Sequence, residues 1–445
     1  MRAFLLAAAI LATPGMALAQ AEHQHDVPAA DAPVTTHEHQ EDAAPAEAED
    51  SHAAHGGHDM SAALGDYLMT REASGTSWQP DSSAHEGIHW SQGGWSLMGH
   101  ALFNGTYSSQ GGRRGDDKAY LSGMVMLSAA RPLGDKDRLT LKAMVSPDPL
   151  MGKRGYPLLL ASGETADGTT ALVDRQHPHD FFMELSASLS HRFTDEDSVF
   201  VYGGLPGEPA FGPPAFMHRM SILDSPEAPI AHHWLDSTHI TFGVATAGFI
   251  HGPWKIEASR FHGREPDQHR WNIETGALDS TAARLSWNPT PIWSLQASWA
   301  HVKSPEQLDP NEDQTKWSAS AIRTVPFGDG GSWSTTVAWG RRIAGHETLD
   351  AFVLESAVRP NTDWTIFARA ERTDNNELTT VGGHHGPTYA VGKASIGAIR
   401  DFEVGEHALI GVGALYAINF IPSGLKSAYG DGPGGGMAFV RLKIR

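Results

Sequence analysis

From Trp95 to Arg445 the chain alternates apolar and polar residues in short runs. In 138–145, Leu139, Leu141, Ala143 and Val145 fall on one side, and Arg138, Thr140, Lys142 and Met144 on the other. In 181–193, Phe181, Met183, Leu185, Ala187, Leu189 and Phe193 oppose Glu184, Ser186, Ser188, Ser190 and Arg192. The same alternation runs through 293–299, 364–371 and 409–420. A period of two is the mark of a strand with one face in an apolar medium and one in a polar one. Every second connection is a tight turn, at 132–137, 194–197, 251–253, 288–291, 328–331, 359–363 and 404–407; those between are mostly longer, and two run to about thirty residues. Short turns on one side and long loops on the other predict an all-β fold, a transmembrane antiparallel β-barrel.

The pattern predicts about sixteen strands, within a range of fourteen to eighteen: near 94–108, 118–131, 138–146, 180–193, 198–205, 237–250, 254–264, 279–288, 292–302, 314–326, 332–343, 349–359, 364–373, 388–400, 407–420 and 435–445. Trp254, Trp287, Trp293, Trp333 and Trp364 all lie within four residues of a tight turn, as an interfacial aromatic girdle requires. The last residue is Arg445, where many bacterial barrels end in an aromatic residue, but Val440, Leu442 and Ile444 keep the alternation.

Upstream of the strands the pattern changes. Arg2, the apolar run 4–12 and Ala17-Leu18-Ala19 read as a secretory signal over 1–19, too short to span a bilayer as a helix. Residues 20–60 hold ten Asp/Glu, seven His and no Lys or Arg, a composition that predicts a disordered leader. Residues 61–93 form a transition segment, and 94–445 the barrel. With both termini on the tight-turn side, the leader is expected in the periplasm of a Gram-negative cell. The chain has no cysteine, which excludes a thiolate metal site, a disulfide scaffold and a cysteine nucleophile. A net charge of −19 speaks against a nucleic-acid partner. No nucleophile elbow, phosphate loop, dinucleotide fingerprint or helical two-histidine zinc motif occurs, so an enzyme is not expected.

The 25 histidines sharpen the reading. His23, His25, His37, His39, His52, His55 and His58, with Met60, sit in the leader at paired spacings. Imidazoles and carboxylates on a flexible strand suit copper, zinc or nickel, and the pairing favours metal capture over a solubilising linker. A second group lies in the long loops, expected at the outer rim: His177, His179 and Asp180 in loop 147–179, His218, His232 and His233 in loop 206–236, His262 and His269 in loop 262–278, and His384 and His385 in loop 374–387. These fit either metal binding or hydrogen-bonded loop packing. Loop 206–236, rich in Pro and Gly, is a candidate to fold inward and narrow the pore. Strand parity puts Met98, His100, Met124, Met126 and Met144 on the lumenal side of three adjacent strands. Thioether and imidazole are ligands for Cu(I), though Met also fills irregular gaps.

The stretch His52-Ala53-Ala54-His55-Gly56-Gly57-His58-Asp59-Met60, followed by a barrel-like remainder, resembles the outer-membrane proteins of bacterial copper-resistance systems, of the copper resistance protein B type. Stretches 175–186 and 259–272 resemble proteins of metal-resistance gene clusters. The leader departs from that family in holding a single Met, which leaves zinc, nickel and cobalt open beside copper. The resemblance implies copper handling for resistance or efflux. No tightly bound cofactor is expected; a transition-metal ion, copper first, is the expected cargo, with outer-membrane lipid around the barrel and a periplasmic metal carrier as a candidate partner. The alternatives are a general or solute-specific porin and a plugged structural barrel.

Overall fold

The computed structural model describes residues 62–84, 86–381 and 384–445. The expected signal and leader, with His23, His25, His37, His39, His52, His55, His58 and Met60, lie outside the described residues.

Sixteen antiparallel strands close into a barrel. They are β1 (Trp95–Gln110), β2 (Asp117–Leu133), β3 (Asp137–Val145), β4 (Phe182–Arg192), β5 (Asp197–Gly204), β6 (Val244–His251), β7 (Trp254–Phe261), β8 (Ser280–Thr290), β9 (Trp293–Val302), β10 (Gln314–Phe327), β11 (Gly331–Ala344), β12 (Glu347–Arg359), β13 (Trp364–Asn375), β14 (Tyr389–Glu403), β15 (Ala408–Phe420) and β16 (Gly434–Ile444). Each pairs with its neighbour in sequence, and β16 closes on β1 from Ala101↔Ile444 to Gln110↔Gly435. A short leading strand, Ile88–Gln92, pairs with the start of β1 beyond the end of β16, so the seam stays hydrogen-bonded along its length.

The alternation read from the sequence is what closes the barrel. Leu127, Leu141, Ile256, Val337, Ile396, Val412 and Val440 stand exposed as an apolar outer belt, while Thr140, Ser188, Thr336, Glu355, Arg369 and Asn419 are buried inside. Trp254 and Trp287 pair directly across β7 and β8 and stack at 4.8 Å. Arg131, Arg323 and Arg400 lie over Trp95, Trp293 and Trp364 at the same rim, each presenting a cation to a ring face.

Three departures from the expected pattern shape the interior. A β-bulge opposite Met144/Val145 slips the parity of β4, so Met183, expected on the outer face, is 1% exposed and points inward. The strand expected to begin at 237 begins at Val244, because 205–243 is spent on an inward excursion. Loop 146–181 also turns in: its hairpin, Tyr156–Thr165 with Ala171–Gln176, buries Leu158, Leu159 and Leu160 in the largest apolar cluster of the lumen.

The 205–243 excursion crosses to the far wall and is held by charge. Arg219 pairs with Glu355 of β12 at 2.7 Å and with Asp236 at 2.6 Å. Asp224 pairs with Arg441 of β16, Glu227 with Lys393 of β14, and the Ala231 amide donates to Glu371 of β13. Gly340 of β11 leaves room for the carbonyl of Trp234, which would lie 2.5 Å from a Cβ there. The inward fold expected of 206–236 is thus realised.

The transition segment is a strap across the tight-turn mouth. Ser190 and Ser198 donate to the carbonyls of Ala63 and Leu64; Thr76 meets Lys255, Glu257 and Arg284; Asn288 donates to Gln79, Ser82 to Thr324, and Glu86 takes Lys443 and Arg359. Its wall contacts run from β4 to β16. Nothing in the alternation of 61–93 announces this, because the strap is held through backbone carbonyls, isolated polar side chains and a few scattered apolar anchors, Ala63, Leu64 and Trp78, rather than a periodic face.

Candidate functional site

Between the strap and the infolded loops two internal cavities adjoin, of about 100 and 70 Å³, sharing Leu102, Met124 and Leu223. The strap-side cavity brings His100 of β1 and Met124 and Met126 of β2 together with His218 and Met220 of the infolded loop. The loop-side cavity joins Met124 to His177, His179, Met183 and Met217. Met144 packs with Met124 and Met183 in the cluster between them. Three of the four strand methionines expected to share a lumenal sector therefore do so. Met98 is inward too, but its sulfur lies over Gly87 at the strap and lines neither cavity. Met183 escaped the sequence pattern because of the bulge. Met217 and Met220 were visible as residues, but their arrival beside β2 depends on the path of the loop.

The loop histidines correct the expectation of an outer rim. His177, His232 and His233 are buried inside the barrel and His179 largely so, joined by the buried His239, which sequence reasoning did not single out. They run as a line. Ring centres of His179 and His239 are 5.3 Å apart, His239 and His232 5.2 Å, His232 and His233 5.5 Å, with His177 5.9 Å from His232 and 5.8 Å from His233. The two loops fold inward for reasons that alternation does not register: the Leu158–Leu160 run and the buried ion pairs of Arg219, Asp224 and Glu227.

In several of these rings Nδ1 is engaged and Nε2 is not. His179 Nδ1 lies 2.8 Å from Asp148 Oδ2, His232 Nδ1 2.7 Å from Asp236 Oδ1, and His239 Nδ1 2.6 Å from the Asp236 carbonyl. An acceptor at Nδ1 assigns the proton there and leaves the Nε2 lone pair. Nε2 of His100, His179, His218 and His239 is buried with no hydrogen-bond partner. Carboxylate-to-imidazole orientation of this kind is how proteins aim a nitrogen at a metal ion. Burial, then the neighbouring His100, Lys142 and His179, push His218 down to about 3. Burial likewise holds His177 and His239 well below the ordinary imidazole range and lowers His232, although Asp236 opposes it there. Burial acts on His233 too, but Glu265 overrides it and raises this one ring. The low ones keep a lone pair at neutral pH.

The remaining candidates lie apart. Asp180 is buried, its Oδ2 3.0 Å from Arg270 and its Oδ1 without a hydrogen-bond partner, apart from the methionine-lined cavities. His262 faces the Ala277 carbonyl and His269 pairs with Asp267, both out on loop 262–279. His384 lies in the two-residue strand His384–His385, opposite Val381, and His385 pairs with Asp309 at 2.9 Å. Among the described residues, Glu306, Asp309 and His385 form the one group of three His or carboxylate residues whose ligand atoms all lie within 4.8 Å of one another. Glu306 there is already held by Arg342 at 2.8 Å.

No family model matches this chain, and no curated protein does. Among solved structures it is similar to OmpF of Salmonella typhi, in complex with daunomycin, at 8% identity over 80% of this chain and 100% of that one, with a TM-score of 0.51. OprB of Pseudomonas putida aligns at 10% identity over 79% and 94% with a TM-score of 0.47, and an anion-selective porin from Comamonas acidovorans at 11% over 79% and 100% with 0.45. The fold is that of a porin-type outer-membrane barrel. At such identities the likeness is one of architecture alone.

Proposed function

We propose that this barrel carries a soft transition-metal ion, copper first, across the bacterial outer membrane, along a route lined by thioether and imidazole. The observation that carries the reading is the pair of cavities meeting at Met124, which gather His100, Met126, His218 and Met220 on one side and His179, Met183 and Met217 on the other. Soft sulfur and neutral imidazole are the donors Cu(I) or Ag(I) would exchange between, and several weak sites in series allow an ion to leave as readily as it enters. The His-rich leader, continuous with the strap, would collect ions on the periplasmic side, and a periplasmic carrier could deliver them there. The resemblance to copper-resistance barrels points the same way.

The filled lumen favours a second reading. Wall-to-loop ion pairs and the strap occupy the space that a general porin leaves to water, so a plugged, non-conducting barrel is the competitor. The full chain in liposomes containing a Cu(I)-selective fluorescent chelator separates them. Metal transport requires Cu(I) entry that slows at least tenfold in Met124→Leu/Met126→Leu, with small sugars retained. Sugar release would indicate a porin, and no flux of either a plug.

A further inference from the structure

Beyond the thioether route, the long-loop histidines converge on a second place. The ring centres of His177, His232 and His233 form a triangle with sides of 5.9, 5.8 and 5.5 Å. Imidazoles bound through a nitrogen about 2.0–2.1 Å from one zinc-like ion place their ring centres about 5.2–5.5 Å apart. The triangle is within a few tenths of an ångström of that span, and its members come from two loops that both turn inward.

The chemistry of the corners fits a ligand. Asp236 orients His232 from Nδ1. His177 Nε2 and His233 Nε2 are buried without a hydrogen bond, and both side chains are more than nine-tenths buried. Glu265 reaches the same corner: its Oε2 stands 3.7 Å from His233 Nδ1 and is itself unbonded. Glu164 Oε1 stands 3.3 Å from His177 Nε2, but its other oxygen is taken by Arg270. Gly163 makes space for His233. It sits at φ +109°, and a Cβ there would lie 2.6 Å from His233 Nε2. The ligand atoms do not yet share one sphere, so binding must turn the rings of His177 and His233. These are the two with the loosest Nδ1 contacts, 3.3 Å to the Pro178 carbonyl and 3.7 Å to Glu265.

We propose that His177, His232 and His233, with Glu265 as the carboxylate, form a site for a borderline divalent ion of the Zn²⁺, Cu²⁺ or Ni²⁺ class. Three nitrogens and one oxygen, with no sulfur, select such ions, where the methionine-lined cavities select soft monovalent ones. The site needs no contribution from Met124 or Met126, so it stands or falls apart from the proposed Cu(I) route.

Cobalt(II) is the probe, added to the full chain in detergent micelles. A tetrahedral nitrogen-rich site gives an intense visible d–d absorption, whereas Co²⁺ on the hydrated leader gives a weak one. The expected result is one intense centre per barrel, bleached by equimolar Zn²⁺, reduced at least tenfold in His177→Gln/His233→Gln and unchanged in Met124→Leu/Met126→Leu. If the double variant loses its heat-modifiable barrel mobility on a gel, Glu265→Gln supplies the comparison, with a weaker and shifted band expected. An absent band in wild type overturns the site, as does a band indifferent to both sets of substitutions. A retained band with no Cu(I) flux would refute the transport reading and leave this site standing.

Discussion

His232 Nδ1 stands 2.7 Å from Asp236 Oδ1 across a single helical turn, and Asp236 Oδ2 at the same time takes Arg219 Nη1 at 2.6 Å. One carboxylate therefore sets which nitrogen of His232 is left over and ties the loop that carries it to β12 through Glu355. Burial opposes the charge of Asp236, yet Arg219 and then His232 hold its carboxyl well below the ordinary range. Asp236→Asn keeps the shape and loses the charge. Divalent affinity at the histidine triangle should fall about 10–100-fold, the usual effect of removing such an orienting partner. Co²⁺ titration of the full chain reads it, and an unchanged affinity would mean that His232 is not oriented from Nδ1.

Arg219 and Glu355 make the second prediction. Both are buried and joined by two contacts, 2.8 Å from Nε and 2.7 Å from Nη2. Removing one partner of a buried pair leaves an uncompensated charge and costs about 3–5 kcal/mol. Arg369 also bonds Glu355, so Glu355→Leu strips two arginines at once. Here the cost should appear as release of the 205–243 excursion rather than loss of the barrel, because the strand ladders do not depend on it. Expected are faster proteolysis within 205–243 and a larger single-channel conductance in planar bilayers. A variant that stays closed and protease-resistant would show that the loop is held chiefly by its other anchors, Asp224–Arg441 and Glu227–Lys393.

The strands were legible from the chain because a lipid-facing strand must alternate. Leu141 against Thr140, and Val412 against Asn419, obey the same rule in the structure as in the pattern. Parity also found Met124, Met126 and Met144. It failed at Met183, where one extra residue in the bulge turns that side chain inward beside Glu184, while Ser188 and Ser190 inside and Leu189 outside keep the expected parity beyond it. It was silent on His239 and on the strap, since neither an inward loop nor a segment held by Ser190 and Asn288 carries a period. The histidines themselves were conspicuous. Their meeting inside the lumen was not, because it depends on ion pairs between residues more than a hundred positions apart, such as Arg219 and Glu355.

Met183 supplies a third prediction. It is fully buried beside Met124 and Met144 and lines the loop-side cavity. Met183→Leu conserves volume, so stability should change by less than about 1.5 kcal/mol. If the thioether is a ligand on the route, Cu(I) affinity or flux should drop severalfold with thermal stability unchanged. If Met183 only fills the gap created by the bulge, both should stay level. The pair of readouts, chelator competition with Cu(I) and thermal unfolding in micelles, separates ligand from filler.

The buried His218 makes the barrel interior sensitive to acid. Its folded-state value is pushed down to about 3 from 6.5, burial being the largest cause. A base whose affinity for protons is lower in the folded than in the unfolded state leaves the unfolded chain binding more protons, so stability rises with pH across that interval and is lost as pH falls through it. The window opens at the unfolded value of 6.5 and closes near 3. At pH 5 the loss attributable to this one ring is about 2 kcal/mol, from about 1.4 kcal/mol for each unit below the unfolded value. His177 and His239 shift in the same direction and steepen the total. The difference between wild type and His218→Leu isolates the single residue. Urea unfolding in micelles should show the variant gaining on wild type by about that amount between pH 7 and pH 5, and a gap that stays constant would show His218 to be already protonated or solvated in the folded barrel.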